Sequence, residues 1–269
     1  GREVAMLPVS ELVEPAATMV YPAIAEATHE GRPSVERVPD IVGLLLFATI
    51  PLAIAVSASA NCIAVLLLGW QWEEAVPVIA ILAVTAVPAS FSMVCAAALE
   101  ARGAVRREFV AHVAATSARC GLVYAATLSG SVVPVAIAAV AAAGVQAALL
   151  LLQLTREGPA RFASGWPSFL RLGGAGGAVV LGMWAMGLGW EQELPRIPAA
   201  LAMGAATGAG VVSAYMLTVL GVWLLAGRPA GVESQLLVLV GRGLERQRHS
   251  GVVALGARVS RMAEGPPKG

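Results

Sequence analysis

Charge is what this sequence has least of. Only 13% of its 269 residues are Asp, Glu, Lys or Arg, about half of the quarter that a water-facing surface takes. With 58% hydrophobic residues and a mean hydropathy of +0.77, the composition excludes a disordered chain and a water-soluble globule. Aromatics are also scarce, at 5%. The bulk is Ala, Val, Leu and Gly, the mixture of lipid-facing and small interfacial residues found in packed transmembrane helices. Three cysteines, Cys62, Cys95 and Cys120, all fall in apolar runs. They read as buried small hydrophobes rather than disulfide partners or metal ligands. His29, His112 and His249 are too far apart in sequence to mark a metal cluster, so neither metal nor cofactor is expected. Nothing near Gly1 has the layout of a cleaved signal peptide. The chain reads as part of a longer protein.

Apolar stretches long enough to cross a bilayer, about 20 helical residues each, recur between short polar breaks. They lie at 4–28, 41–60, 74–99, 108–128, 132–155, 168–189 and 197–226, predicting an all-α, polytopic bundle of about seven transmembrane helices. The run continuing to Gly69 is too long for one span. Its second part, Asn61 to Gly69, is expected as a short helix or re-entrant piece at the membrane surface, with Trp70 and Trp72 at the interface. The organisation expected is a five-helix part (1–158), a terminal helix pair (159–227) and a basic tail (228–269).

Orientation follows from the basic residues. Arg32, Arg37, Arg102, Arg106, Arg107, Arg156, Arg161 and Arg171 fall in or beside alternate breaks, and seven more lie between Arg228 and Lys268. The intervening breaks carry Glu73 and Glu74, then Glu191, Glu193 and a single Arg196. The positive-inside rule therefore puts the basic breaks and the C-terminus in the cytoplasm. In the tail, Val252, Leu255, Val259 and Met262 repeat at helical spacing beside Arg258 and Arg261. That pattern fits either a helix lying on an anionic leaflet or a loosely ordered basic tail.

No catalytic motif survives inspection, and a transporter rather than an enzyme is expected. The segment Gly173-Gly174-Ala175-Gly176-Gly177 follows no strand and lacks the Lys-Ser/Thr of a phosphate loop. Gly173 with Gly177, and Gly204 with Gly208, are four apart and predict close packing of the last two spans through small faces. Ionisable groups within hydrocarbon carry more information, because each costs several kcal/mol unless it faces a partner or a wet cavity. Arg119 lies about 12 residues past Arg107, roughly 18 Å along a helix and near the bilayer midplane. His112, Thr116, Arg119 and Thr127 share one face of that helix. One reading is a cavity wall offering a cation and hydroxyls to an anionic substrate such as a pyrophosphate; the other is a structural ion pair. Glu11 and Glu14, with Thr18 and Tyr21, form a similar stripe on the first span, as ion-coupling sites, counter-ions for Arg119 or interfacial residues. Pro15 and Pro22 would bend that helix. Pro51, Pro77, Pro88 and Pro134 read as ordinary kinks. Asn61, Gln146 and Gln153 are candidate interhelical hydrogen-bond partners, with a substrate contact at Gln146 as the alternative.

The order of features resembles a known family. Tyr21-Pro22 at a helix end, Pro51 in the next helix, Ile63-Ala64-Val65-Leu66-Leu67-Leu68-Gly69, Trp72, Ala75 and Ile79-Ala80-Ile81-Leu82 follow in sequence. Ala98-Leu99-Glu100-Ala101-Arg102-Gly103 and a helix pair up to Gln153 complete the series. Together residues 3–155 resemble the second half of polysaccharide-biosynthesis membrane proteins, the oligosaccharide-lipid flippases of the multidrug/oligosaccharidyl-lipid/polysaccharide exporter superfamily. The resemblance implies two lobes around a central cavity, of which this chain would be the C-terminal lobe and a missing N-terminal lobe the partner. It also implies alternating access that moves a polyprenyl-pyrophosphate-linked glycan across the cytoplasmic membrane, with cationic residues facing the headgroup. The expected partners are that substrate and membrane lipids, not nucleic acid. Two other functions stay open: a cation-coupled multidrug antiporter of the same superfamily, dominated by Glu11 and Glu14, and a non-transporting assembly subunit whose buried charges hold helices together.

Overall fold

The structure, a computed structural model, describes residues 38–156, 165–190 and 194–226. The expected first span 4–28, with Glu11 and Glu14, and the basic tail lie outside the described residues. Within them the secondary structure is entirely helical: α1 (Val38–Ala58), α2 (Ala60–Leu67), a 3-10 turn (Trp70–Ala75), α3 (Val76–Ala83), α4 (Ala86–Ala101), α5 (Val105–Thr127), α6 (Val132–Thr155), α7 (Trp166–Ala185) and α8 (Ile197–Leu225). Among the described residues six stretches are long and apolar enough to span a membrane, the Trp70–Ala75 turn, α3 and α4 counting as one. They coincide with the six expected spans after the first. The short helix expected from Asn61 is α2, and Trp70 and Trp72 are half exposed in the turn that follows.

Local chemistry explains the breaks. Pro88 has no N–H to donate back to Val84. The backbone there tightens to Thr85 N–H bonding Leu82 O at 3.0 Å and Val87 N–H bonding Val84 O at 3.3 Å, which separates α3 from α4. At the end of α4, Gly103 adopts φ +71°. Its N–H bonds Glu100 O at 2.8 Å, while Ala104 N–H bonds Leu99 O at 2.9 Å. This paired closure needs a left-handed residue after the cap, and glycine takes that conformation without penalty. The chain then reverses into α5.

The order of packing is simple. α1 lies at the centre, with α7 and α8 on one side and α3 and α4 on the other; α3 and α4 in turn pack on α6, and α6 carries α5. Burial falls along that order, from 72% of the apolar window of α1 to 11% of that of α5. Tyr215 of α8 is fully buried, its ring 5.9 Å from that of Phe47 on α1 and its hydroxyl 3.5 Å from Leu172 O on α7. The hydroxyls of Thr49 on α1 and Ser90 on α4 meet at 3.2 Å.

Two expectations are corrected. α7 and α8 do pack together, but not through Gly173, Gly177 and Gly208, each of which, among the described residues, has open space where a side chain would stand. The buried face of α7 runs through Leu172, Ala175, Gly176, Val179 and Met183, and a Cβ on Gly176 would meet Ile50 Cγ2 of α1 at 2.7 Å. Gly204 faces Cys62 of α2 rather than α7. Cys62 and Cys95 are buried as expected, but Cys120 is exposed on the outer side of α5; an apolar run on a peripheral helix has two faces, and only one meets the core.

Candidate substrate cavity

α4, α5 and α6 enclose a cavity of about 290 Å³. It stays open because α4 and α6 turn mainly small side chains toward it, with Met93 of α4 and Leu82 of α3 the larger apolar residues on its lining. α4 presents Ala89, Ser92 and Ala96, and α6 presents Ala139, Ala142 and Ala143, toward the same space. Larger residues at these positions would fill it, since helix interfaces otherwise close to interior packing density.

Three polar side chains supply the chemistry. His112 and Arg119 of α5 and Gln146 of α6 all line the cavity. His112 and Arg119 are seven residues apart, about 20° on a helical wheel, so one face of α5 presents both. That face lies to one side of the seam with α6, where Ala111 and Ala115 are buried, with Arg119 about 60° and His112 about 80° from the seam's centre. Thr116 and Thr127 fall roughly 100° or more from the seam; both are exposed and neither is on the cavity wall. Of the four cavity residues expected from the sequence, the fold brings His112, Arg119 and Gln146 together and leaves Thr116 outside.

Arg119 sits about two thirds of the way along α5. Among the described residues it has no carboxylate partner, and the Gln146 amide makes no hydrogen bond. His112 has one acidic neighbour, its Nε2 lying 3.5 Å from Glu108 Oε1 one turn earlier; the pair is ionic when the imidazole is protonated. The hydroxyls of the wall are committed locally, Ser92 to Pro88 O at 2.8 Å and Thr85 to Leu82 O at 2.5 Å. Among the described residues a guanidinium and a carboxamide therefore face the space with donor capacity free, beside an imidazole whose Nε2 lies against Glu108, and no carboxylate lines it. The arrangement suits an anion, which a guanidinium binds through paired N–H donors. The volume corresponds to about ten water molecules at roughly 30 Å³ each, room for a diphosphate or one sugar ring but not for an oligosaccharide.

The reading from sequence missed Thr85, Ser92 and Glu108. A signal for the first two was present: Thr85, Ala89, Ser92 and Ala96 follow the 4-3-4 rhythm of one helix face. For Glu108 the signal was its position four residues before His112.

Residues 1–77 match the model of a family described as polysaccharide biosynthesis protein. The described part of the match comprises α1, α2, the Trp70–Ala75 turn and the first residues of α3. No curated protein and no solved structure matches the chain. The family match and the six apolar helices together fit a multi-pass membrane protein of polysaccharide biosynthesis.

Proposed function

We propose that the protein translocates a polyprenyl-pyrophosphate-linked oligosaccharide across the cytoplasmic membrane by alternating access, without breaking a bond. The observation that carries this reading is Arg119, a mid-span guanidinium on a cavity wall with no ion-pair partner among the described residues. An ion that deep in hydrocarbon costs several kcal/mol unless something compensates it. An anionic headgroup entering the cavity would compensate it only while bound, which is the differential interaction that an alternating mechanism uses. The match of residues 1–77 to polysaccharide biosynthesis proteins supports a glycan-bearing anion over a free one.

In this reading Arg119 and His112 hold the diphosphate, Gln146 hydrogen-bonds the linkage, and the glycan and prenyl chain lie beyond the cavity against a second lobe. Ion coupling at Glu11 or Glu14 belongs to the same proposal. The basic breaks put Arg102, Arg106 and Arg107 in the cytoplasm, with the C-terminus. A carrier of cationic drugs would need the opposite sign on the wall.

The test is Arg119→Ala in the full-length gene. Surface glycan export should be abolished with the protein present in the membrane at its normal level, and Gln146→Ala should reduce export. Undiminished export in Arg119→Ala removes Arg119 from the substrate path and overturns the reading.

A further inference from the structure

At the end of the bundle opposite the Arg102 turn, two cavities meet at Trp190. One, of about 510 Å³, is lined by Ser57, Asn61, Glu73, Glu74 and Trp190 among others. The second, of about 450 Å³, is walled by Val84, Ile137, Val140 and Ala141. Ser57, Ala80, Ile81 and Trp190 belong to both. They form one groove that changes from carboxylate and amide to aliphatic across a single indole. It is separate from the Arg119 cavity: α3 turns Leu82 to that cavity and Ile81 to this groove, and α6 turns Ala142 to one and Ala141 to the other.

Trp190 is fixed in place. Its indole Nε1–H donates to Ser57 Oγ at 3.0 Å, and its backbone N–H donates to Ala58 O at 3.2 Å. Its φ is +53°, a left-handed conformation that a bulky residue takes only where its surroundings impose it. The preceding Gly189 is seated so closely that a Cβ there would stand 3.0 Å from that of Ala58. With its N–H already used, the half-buried indole has only ring surface left for a ligand. A sugar ring complements that surface with one face of C–H bonds and a rim of hydroxyls. The exposed carboxylates of Glu73 and Glu74 accept hydrogen bonds from hydroxyls and repel phosphate.

We propose that this groove binds a neutral glycan carried on a hydrophobic chain, with a sugar stacked on Trp190, its hydroxyls donating to Glu73 and Glu74, and the chain lying along Val84, Ile137 and Val140. The inference rests on the reading of the protein as a handler of lipid-linked glycan. It adds a second station, opposite in charge to the first, where the sugar rather than the diphosphate is held.

The test is binding of octyl β-maltoside, a glycan head on an alkyl tail, to the full-length protein in lipid nanodiscs, followed by saturation-transfer NMR on the sugar protons. Trp190→Ala and the double variant Glu73→Gln/Glu74→Gln should each weaken binding about tenfold, while Trp190→Phe keeps most of it. Octyltrimethylammonium, with a similar tail and a cationic head, should bind less tightly than the maltoside. Equal maltoside binding by the parent and Trp190→Ala overturns the proposal, as does tighter binding of the ammonium, which would make the groove a cation site. Trp190-dependent binding alongside undiminished export in Arg119→Ala would keep the groove and sink the transport reading; export lost in Arg119→Ala with no Trp190 dependence would do the reverse.

Discussion

Arg119 and Gly176 carry side-chain arguments that can be checked by conservative substitution. If the guanidinium grips a diphosphate through paired N–H donors, a lysine at the same place keeps the charge and loses the fork. Arg119→Lys should then retain export but slow it by about tenfold, the effect of losing one charge-assisted hydrogen bond, measured as surface glycan per cell at matched protein level. Gly176→Ala forces a methyl against Ile50 Cγ2, where only 2.7 Å is available. It should destabilise the protein by about 1–3 kcal/mol in denaturant unfolding. Gly173→Ala and Gly177→Ala should be neutral or stabilising by up to about 1 kcal/mol, because both glycines lie inside a helix and face open space among the described residues. The sequence could not distinguish these glycines. Spacing by four defines a face, but which face meets α1 depends on how the helix is rotated, and rotation is decided by bulky neighbours such as Leu172 and Met183. Thr116 was misjudged for the same reason, 40° from His112 but on the far side from the seam.

Elements were far more legible than residues. The run 132–155 was read from hydropathy alone, and α6 is Val132–Thr155; the other described spans agree within a few residues, because lipid forces the backbone to close its own hydrogen bonds over a fixed thickness. The division of α3 from α4 was less visible, since it combines a missing N–H at Pro88 with a backbone adjustment three residues upstream. Tyr215 gives a measure of how the elements are joined. Tyr215→Phe loses only a 3.5 Å contact to Leu172 O and should cost less than about 1 kcal/mol. Tyr215→Ala opens a cavity between α1, α7 and α8 and should cost about 2 kcal/mol, less than in a soluble core because lipid replaces water as the solvent of the separated helices. Unfolding in mixed micelles would measure both. Sidedness is testable in a cysteine-free background: a cysteine at Glu73 should react with an impermeant maleimide added to intact cells, and one at Arg106 should not. The reverse pattern would invert the orientation.

For the molecule as a whole, the gradient of burial matters most. α1 is held on both sides and fixes the frame, and the small side chains that leave the Arg119 cavity open lie between that frame and α5. The cavity was half legible: His112, Arg119 and Gln146 were nameable as polar groups in apolar runs, but their convergence needed α4 and α6 to turn their small residues inward together. The groove at Trp190 was not legible, because it joins α1, the Trp70–Ala75 turn, α3, α6 and the turn after α7, distant in sequence and linked by one strained residue. α5 itself is attached mainly along a single seam, and its fully buried residues are Ala111 and Ala115. Two methyl groups give a neighbouring helix little to interlock with. The seam is nonetheless the most extensive helix contact among the described residues, because side chains no larger than a methyl let the two backbones approach closely along their length, so the helix that carries the cationic wall takes its register mainly from a single partner.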